Sequence, residues 1–209
     1  MDDFLESLRQ DGDRSKAVSD LVKKGEEIVP ALLDIFRQDP HPKLRRGLAY
    51  AVSRIASQGK SSAVKEFLQL AVKEENNAIK WFACYGLGHL QFLDTLDDII
   101  SCLLVPREEK SASYGPNDAS AEDVRRCAAE TLAKFGSKAL PSVKTLLRSE
   151  DAWFREAAGF ALTRIALQFD PNSSDFTEIK NILTDLSRND PDLTVKNHSK
   201  NFLESLPNQ

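Results

Sequence analysis

Apolar residues recur along this chain at helical spacing, in runs each too short to make a stable helix alone. Val124, Ala128, Thr131, Leu132 and Phe135 share one helical face. Gly136 then supplies a left-handed stop, and Leu140, Val143, Leu146 and Leu147 form a second stripe with Pro141 inside its first turn. The pattern predicts two short antiparallel helices, neither of which can bury its stripe without a neighbouring copy. Copies are present. Residues 14–37 superimpose on residues 125–148 at a constant offset of 111, matching Arg14 with Arg125, Ala17 with Ala128, Leu21 with Leu132, Gly25 with Gly136 and Pro30 with Pro141.

Further first helices begin at Leu44, Ile79, Phe154 and Val195. Each anchor, Val124 included, is followed by a basic residue, at Arg45, Lys80, Arg125, Arg155 and Lys196. Each also has an apolar residue eleven positions on, at Ile55, Leu90, Phe135, Ile165 and Leu206. The chain therefore divides into a cap at 2–10, repeats at about 13–38, 39–74, 75–105, 120–150 and 151–189, and a closing half repeat at 190–206. Residues 106–120 are polar, contain Gly115-Pro116 and lack apolar periodicity, which predicts an inserted loop. That loop is either a passive insertion or a docking segment led by Tyr114. The expected fold is all-α: an α-α superhelix of about five helical pairs with terminal cap helices.

Composition changes this picture little. The 209 residues are 41% apolar and 29% charged, enough for one sizeable core. A net charge of -4 argues against a protein that binds by neutralising phosphates, so nucleic acid is not an expected partner. Cys84, Cys102 and Cys127 are odd in number and set in apolar helical patterns, as buried reduced thiols of a cytoplasmic protein would be. The N-terminus shows no export signal, and no apolar run approaches the roughly 20 residues of a membrane span.

The runs VRRCAAETLAKFG, ALPSVKTLL and DAWFREAAGFALTRIA resemble HEAT repeats, especially the short HEAT-like repeats of the phycobilisome lyase type. The resemblance covers residues 14–206 and implies a right-handed solenoid, with first helices outside and second helices lining a concave groove. It implies that the recurrent basic residue is a structural ladder between turns. It also implies two functions: a non-catalytic protein-interaction scaffold or, alternatively, a subunit or relative of a phycobilin lyase that assists chromophore attachment to phycobiliproteins. HEAT-type iron hydroxylases carry His-Glu pairs, whereas His41, His89 and His198 are followed by Pro42, Leu90 and Ser199. Accordingly no catalytic residue, metal ligand or cofactor is assigned. Asp94, Asp97 and Asp98 read as a charge complement to a helix N-terminus.

The candidate site comes from the outer side of the first helices. Two and six residues after each anchor, positions lie about 200° and 240° around the helix, where polar residues facing solvent are expected. Arg46, Arg126, Glu156 and Glu130 fit, but Trp81 stands at position two and Tyr50, Tyr85 and Phe160 at position six. Trp153, one residue before its anchor, joins them as a candidate. Unless a loop, the insertion or a self-contact covers them, Tyr50, Trp81 and Tyr85 form an exposed aromatic ridge for another protein or a second copy of the chain.

Overall fold

Several helices start where short polar side chains take up free backbone N–H groups. Asn76 Oδ1 accepts from Ile79 N at 3.1 Å, Ser173 Oγ from Phe176 N at 3.2 Å, and Asp192 Oδ1 from Thr194 N at 2.8 Å. Ser120 and Asp123 exchange reciprocal bonds in a capping box. The computed structural model describes residues 2–10, 15–106 and 119–207. These form α1 (Asp2–Arg9), α2 (Ser15–Lys24), α3 (Val29–Gln38), α4 (Pro42–Ile55), α5 (Ser62–Ala71), α6 (Asn77–Leu90), α7 (Leu96–Leu103), α8 (Ala121–Phe135), α9 (Leu140–Leu146), α10 (Ala152–Ala166), α11 (Ser174–Asn189) and α12 (Leu193–Glu204). No strand occurs among the described residues, and no described helix is long and apolar enough to cross a membrane. Arg14, the first residue of the sequence match, and 107–118, most of the expected insertion with Tyr114, lie outside the described residues.

The first helices α2, α4, α6, α8, α10 and α12 pack one on the next in chain order; α5, α7 and α11 lie along their own first helices, while α3 packs on α4 and α5 and α9 packs on α10. The chain is thus an all-α superhelix of five helix pairs among the described residues. Helix α1 lies on α2 and α4, and α12 lies on α10 and α11. A single apolar core runs the whole length, from Leu5 to Leu206. First helices are buried on two flanks, so small residues recur in them: Ala49, Ala83, Ala128, Ala129, Ala157 and Ala161 are all fully buried. At Gly86 a Cβ would stand 2.8 Å from a Leu68 methyl and 3.1 Å from the Ser53 Cα, so glycine here lets α6 close on α4 and α5.

Gly25 and Gly136, the pair matched in sequence, both take positive φ, 68° and 55°. Each opens a short 3-10 turn that leads into Pro30 or Pro141 at the start of the next helix. Gly136, at ψ -134°, is outside the left-handed helical region expected for a helix stop, in backbone space that only glycine visits readily. Gln91 stands at the equivalent place in the third pair and takes φ 55° without being glycine. Its Nε2 donates to the Lys134 carbonyl at 2.8 Å, tying the end of α6 to the end of α8.

Four of the five recurrent basic residues, Arg45, Lys80, Arg125 and Arg155, are used inside the seams. Arg45 donates to the Phe36 and Asp39 carbonyls and pairs with Glu74. Arg125 donates to the Leu103 carbonyl at 3.4 Å, and Arg155 to the Ser149 and Glu150 carbonyls at 2.8 and 2.9 Å. Lys80 Nζ lies 3.4 Å from the Val72 carbonyl. Each basic head thus satisfies carbonyls left unpaired where the preceding second helix ends. Arg155 also grips Asp190 with two bonds, at 2.8 and 2.9 Å, so α10 is clamped to the turn between α11 and α12.

Candidate functional site

Aromatic residues on α4 and α6 meet in one continuous run. The Tyr50 ring lies 4.8 Å from that of Phe82, Phe82 meets Trp81 edge-on at 5.3 Å, and Trp81 stacks on Tyr85 at 5.6 Å with the planes only 2° apart. Tyr85 in turn meets the His89 imidazole edge-on at 4.8 Å. Helical spacing of four places Trp81, Tyr85 and His89 one above another, and the packing of α6 on α4 brings Tyr50 to the run. Tyr85 is 39% exposed, whereas Tyr50, Trp81 and Phe82 are half-buried and lean on the core. The face is therefore a shallow slope with one projecting ring, where the sequence predicts an exposed ridge.

Burial, and then the nearby Lys134 ammonium, hold the His89 imidazole below its ordinary pKa. Its Nε2 is buried with no hydrogen-bond partner among the described groups.

Arg54, Lys134 and Arg164 each lie against an aromatic ring of the first helices. Arg54 sits 5.9 Å from the centre of the Tyr50 ring and donates to the Tyr50 hydroxyl at 3.3 Å. Lys134 reaches from α8 to 5.1 Å from the Tyr85 ring, and Arg164 lies 5.5 Å from Phe160. No carboxylate pairs with any of the three among the described ion pairs. Other first-helix cations do pair, Arg126 with Asp123 and Lys23 with Asp20, and the second helices carry a ladder of such contacts. Arg37 pairs with Glu66, Lys65 with Asp94 and Lys144 with Glu178, while Gln69 donates to Asp98 and Ser137 to Asp175. Their charged groups close on one another from pair to pair. Asp94 and Asp98 are rungs of this ladder, a role beyond the helix-end complement expected for them.

The other two aromatic candidates stand elsewhere. Trp153 lies in the seam between the third and fourth pairs, its Nε1 donating to the Leu104 carbonyl at 3.4 Å and its ring covered by the Arg125 guanidinium at 3.9 Å. Phe160 faces Phe202 of α12 at 6.1 Å, and α8 between it and the run carries exposed Glu130. Glu156 corrects the rule that position two faces solvent. It is 6% exposed, with His198 Nδ1 at 3.0 Å and Arg125 at 3.9 Å, because α12 packs over that side of α10. Phe82 and His89 belong to the run but were not candidates. Phe82 sits at position three, between the outer face and the core, where a pattern of two classes assigns it to neither.

The three cysteines, one each on α6, α7 and α8, converge in the core as free thiols. Contact with Cys102 leads the rise of the Cys84 thiol well above its ordinary value, and contact with Cys84 leads that of Cys127, with burial adding to both. Both stay protonated, which disfavours nucleophilic use. Among the described residues no group of three or more His, Cys, Asp or Glu is placed to hold a metal ion. A shallow hollow of about 480 Å³ opens between α1 and the end of α3, lined by Leu5, Arg9, Ile35, Gln38, Asp39 and Pro40. Its two charges are spent on each other, Arg9 to Asp39 at 2.6 Å.

No protein-family model matches the chain, and no curated protein does. Solved structures similar to it are helical repeat proteins. One is the complex of CpcE and CpcF of phycocyanin lyase from Nostoc sp., at 15% identity over 84% of this chain and 98% of that one, with a TM-score of 0.47. Another is a designed armadillo repeat protein in complex with the peptide (KR)4, at 14% identity, 97% coverage of both chains and a TM-score of 0.46. A third is the archaeal HEAT-like repeats protein from Thermococcus onnurineus, at 12% identity, covering 97% of this chain and 95% of that one, with a TM-score of 0.36. The fold assignment rests on the chain's own helix order and packing.

Proposed function

We propose that this chain is a protein-interaction scaffold, cytoplasmic, that engages its partner through the outer face of α4 and α6. The observation that carries the reading is the aromatic run from Tyr50 to Tyr85, flanked by Arg54 and Lys134, which pair with no carboxylate among the described residues. Tyr, Trp and Arg are the residues in which binding energy concentrates at interfaces, and a preassembled ring stack loses little side-chain entropy on binding. Trp153 and Phe160 have structural surroundings and take no part in this surface.

Affinity purification from native extract with the wild-type chain and with Tyr85→Glu tests the proposal. The wild type should retain a stoichiometric partner that the variant loses while its melting temperature stays within a few degrees. Equal retention by both would overturn the assignment of the face. The same substitution, followed by sedimentation equilibrium, shows whether the partner is a second copy. The lyase alternative is separated from this reading by adding free bilin, since visible absorbance that co-elutes with the chain would favour it.

A further inference from the structure

We propose that this face is gated by pH, holding its partner while the His89 imidazole is neutral and releasing it when His89 takes up a proton. The inference rests on the scaffold reading and adds to it a control. His89 closes the aromatic run near the C-terminal end of α6. Its ring meets Tyr85 edge-on at 4.8 Å, and Tyr85 stacks on Trp81 with the planes 2° apart. The Lys134 ammonium of α8 lies 5.1 Å from the centre of the same tyrosine ring. It reaches that place because residue 88 is glycine. A Cβ at Gly88 would stand 2.9 Å from the Thr131 methyl and 3.5 Å from Lys134 Nζ, so glycine lets α8 and its lysine close on α6. Two basic groups thus share one tyrosine, and one of them is of the kind that titrates near neutral pH.

The imidazole has no place for a positive charge. Its Nε2 is buried and bonds to nothing among the described groups. Protonation makes both ring nitrogens donors, and a buried charged donor without an acceptor is costly. The helices packed against α6 supply no carboxylate to receive it. From α8 come Lys134 and, one turn before it, exposed Glu130; from α4 comes Arg54, which lies on the Tyr50 ring. On α5 and α7 Lys65 is paired with Asp94, Asp98 accepts from Gln69, and Asp97 is exposed. Of these charges Lys134 is the one that acts on His89, and it repels a proton. Among the described residues the histidine that does pair with a carboxylate is His198, with Glu156. A proton on His89 therefore turns its ring toward water and away from Lys134, and the edge contact that backs Tyr85 goes with it. The rings that a partner meets are then no longer preassembled, and a new cation stands among them. By reciprocity, a bound partner opposes protonation of His89. Release belongs below the ordinary histidine value of about 6.5 and above the range in which carboxylates titrate.

The test joins a spectroscopic and a binding readout on the full chain. The indole N–H signal of Trp81, assigned with Trp81→Phe, is followed by NMR from about pH 7.5 to about pH 5, a range that leaves the carboxylates ionised. In the wild type it should move with the same midpoint as the His89 ring signals. In His89→Gln and His89→Asn, which keep a polar neutral side chain and should leave the helical circular dichroism unchanged, it should stay still. The partner captured from native extract at about pH 7.5 should be held roughly tenfold less at about pH 5 by the wild type, and equally at both by the two variants. A Trp81 signal that does not move, or that moves alike in the variants, would overturn the proposal. So would equal retention by the wild type at the two pH values, or acid release from the variants as from the wild type. Loss of the partner in Tyr85→Glu together with pH-independent retention by the wild type refutes the gate alone, whereas Tyr85→Glu without effect at about pH 7.5 refutes the face and the gate with it.

Discussion

Leu132 is fully buried at the middle of the stack, where neither open end can relax to fill a gap. Leu132→Ala should therefore cost about 2–5 kcal/mol, read as a lowered midpoint in chemical denaturation. A loss under about 1 kcal/mol would mean that the core is not packed around it. Gly136 isolates a different cause. A Cβ there meets nothing closer than 3.8 Å, but the backbone sits at φ 55°, ψ -134°. Gly136→Ala should cost about 1–3 kcal/mol through backbone strain alone, with no cavity or clash. An unchanged midpoint would show that the turn relaxes. These two residues were legible in the sequence because apolar period and glycine carry direct signals. Gln91 was not, because its left-handed backbone is held by a bond to the Lys134 carbonyl 43 residues away, which no local propensity records.

Between elements, the seam of α10, α11 and α12 depends on a buried ion pair. Asp190 is 5% exposed, and the Arg155 guanidinium beside it holds its carboxyl below the ordinary carboxylate range. Asp190→Ala leaves Arg155 with only the Ser149 and Glu150 carbonyls, and should cost about 3 kcal/mol, as expected for an uncompensated buried charge. Hydrogen exchange should rise first in α12, which the clamp and Phe202 hold on α10; protection equal to wild type there would refute the clamp. The sequence exposed one half of such seams, since a basic residue follows every anchor. The acidic half was hidden, because Glu74 lies 29 residues beyond Arg45 and Asp190 lies 35 beyond Arg155, each in a turn. The candidate site was legible to a similar extent. Aromatic residues at outward positions marked Tyr50, Trp81 and Tyr85, but depth depends on how far the next helix advances over each side. That is why α12 buries Glu156 and why Trp81 is half-buried.

For the whole molecule, stability should fall in two stages as the solution is acidified. His89 governs the first. With its folded pKa held down by burial and then by Lys134, the unfolded chain binds more protons than the folded one just below the ordinary histidine value. Stability should therefore begin to decline below about pH 6.5. Asp39, Asp123 and Asp190 govern the second. Arg9, the Ser120 cap and Arg155 respectively hold these carboxyls below their ordinary range, at three places spread along the stack. Their contributions are complete above the unfolded value and are lost as pH falls through the lower folded values, which puts the second stage below about pH 4. His89→Gln should remove the first stage and leave the second. Denaturation midpoints of wild type and variant should thus converge in relative terms as pH falls from about 7 to 5, with the wild type losing stability and the variant nearly flat. Parallel curves across that interval would show that His89 is not held neutral, and that the end of the aromatic run stands in water.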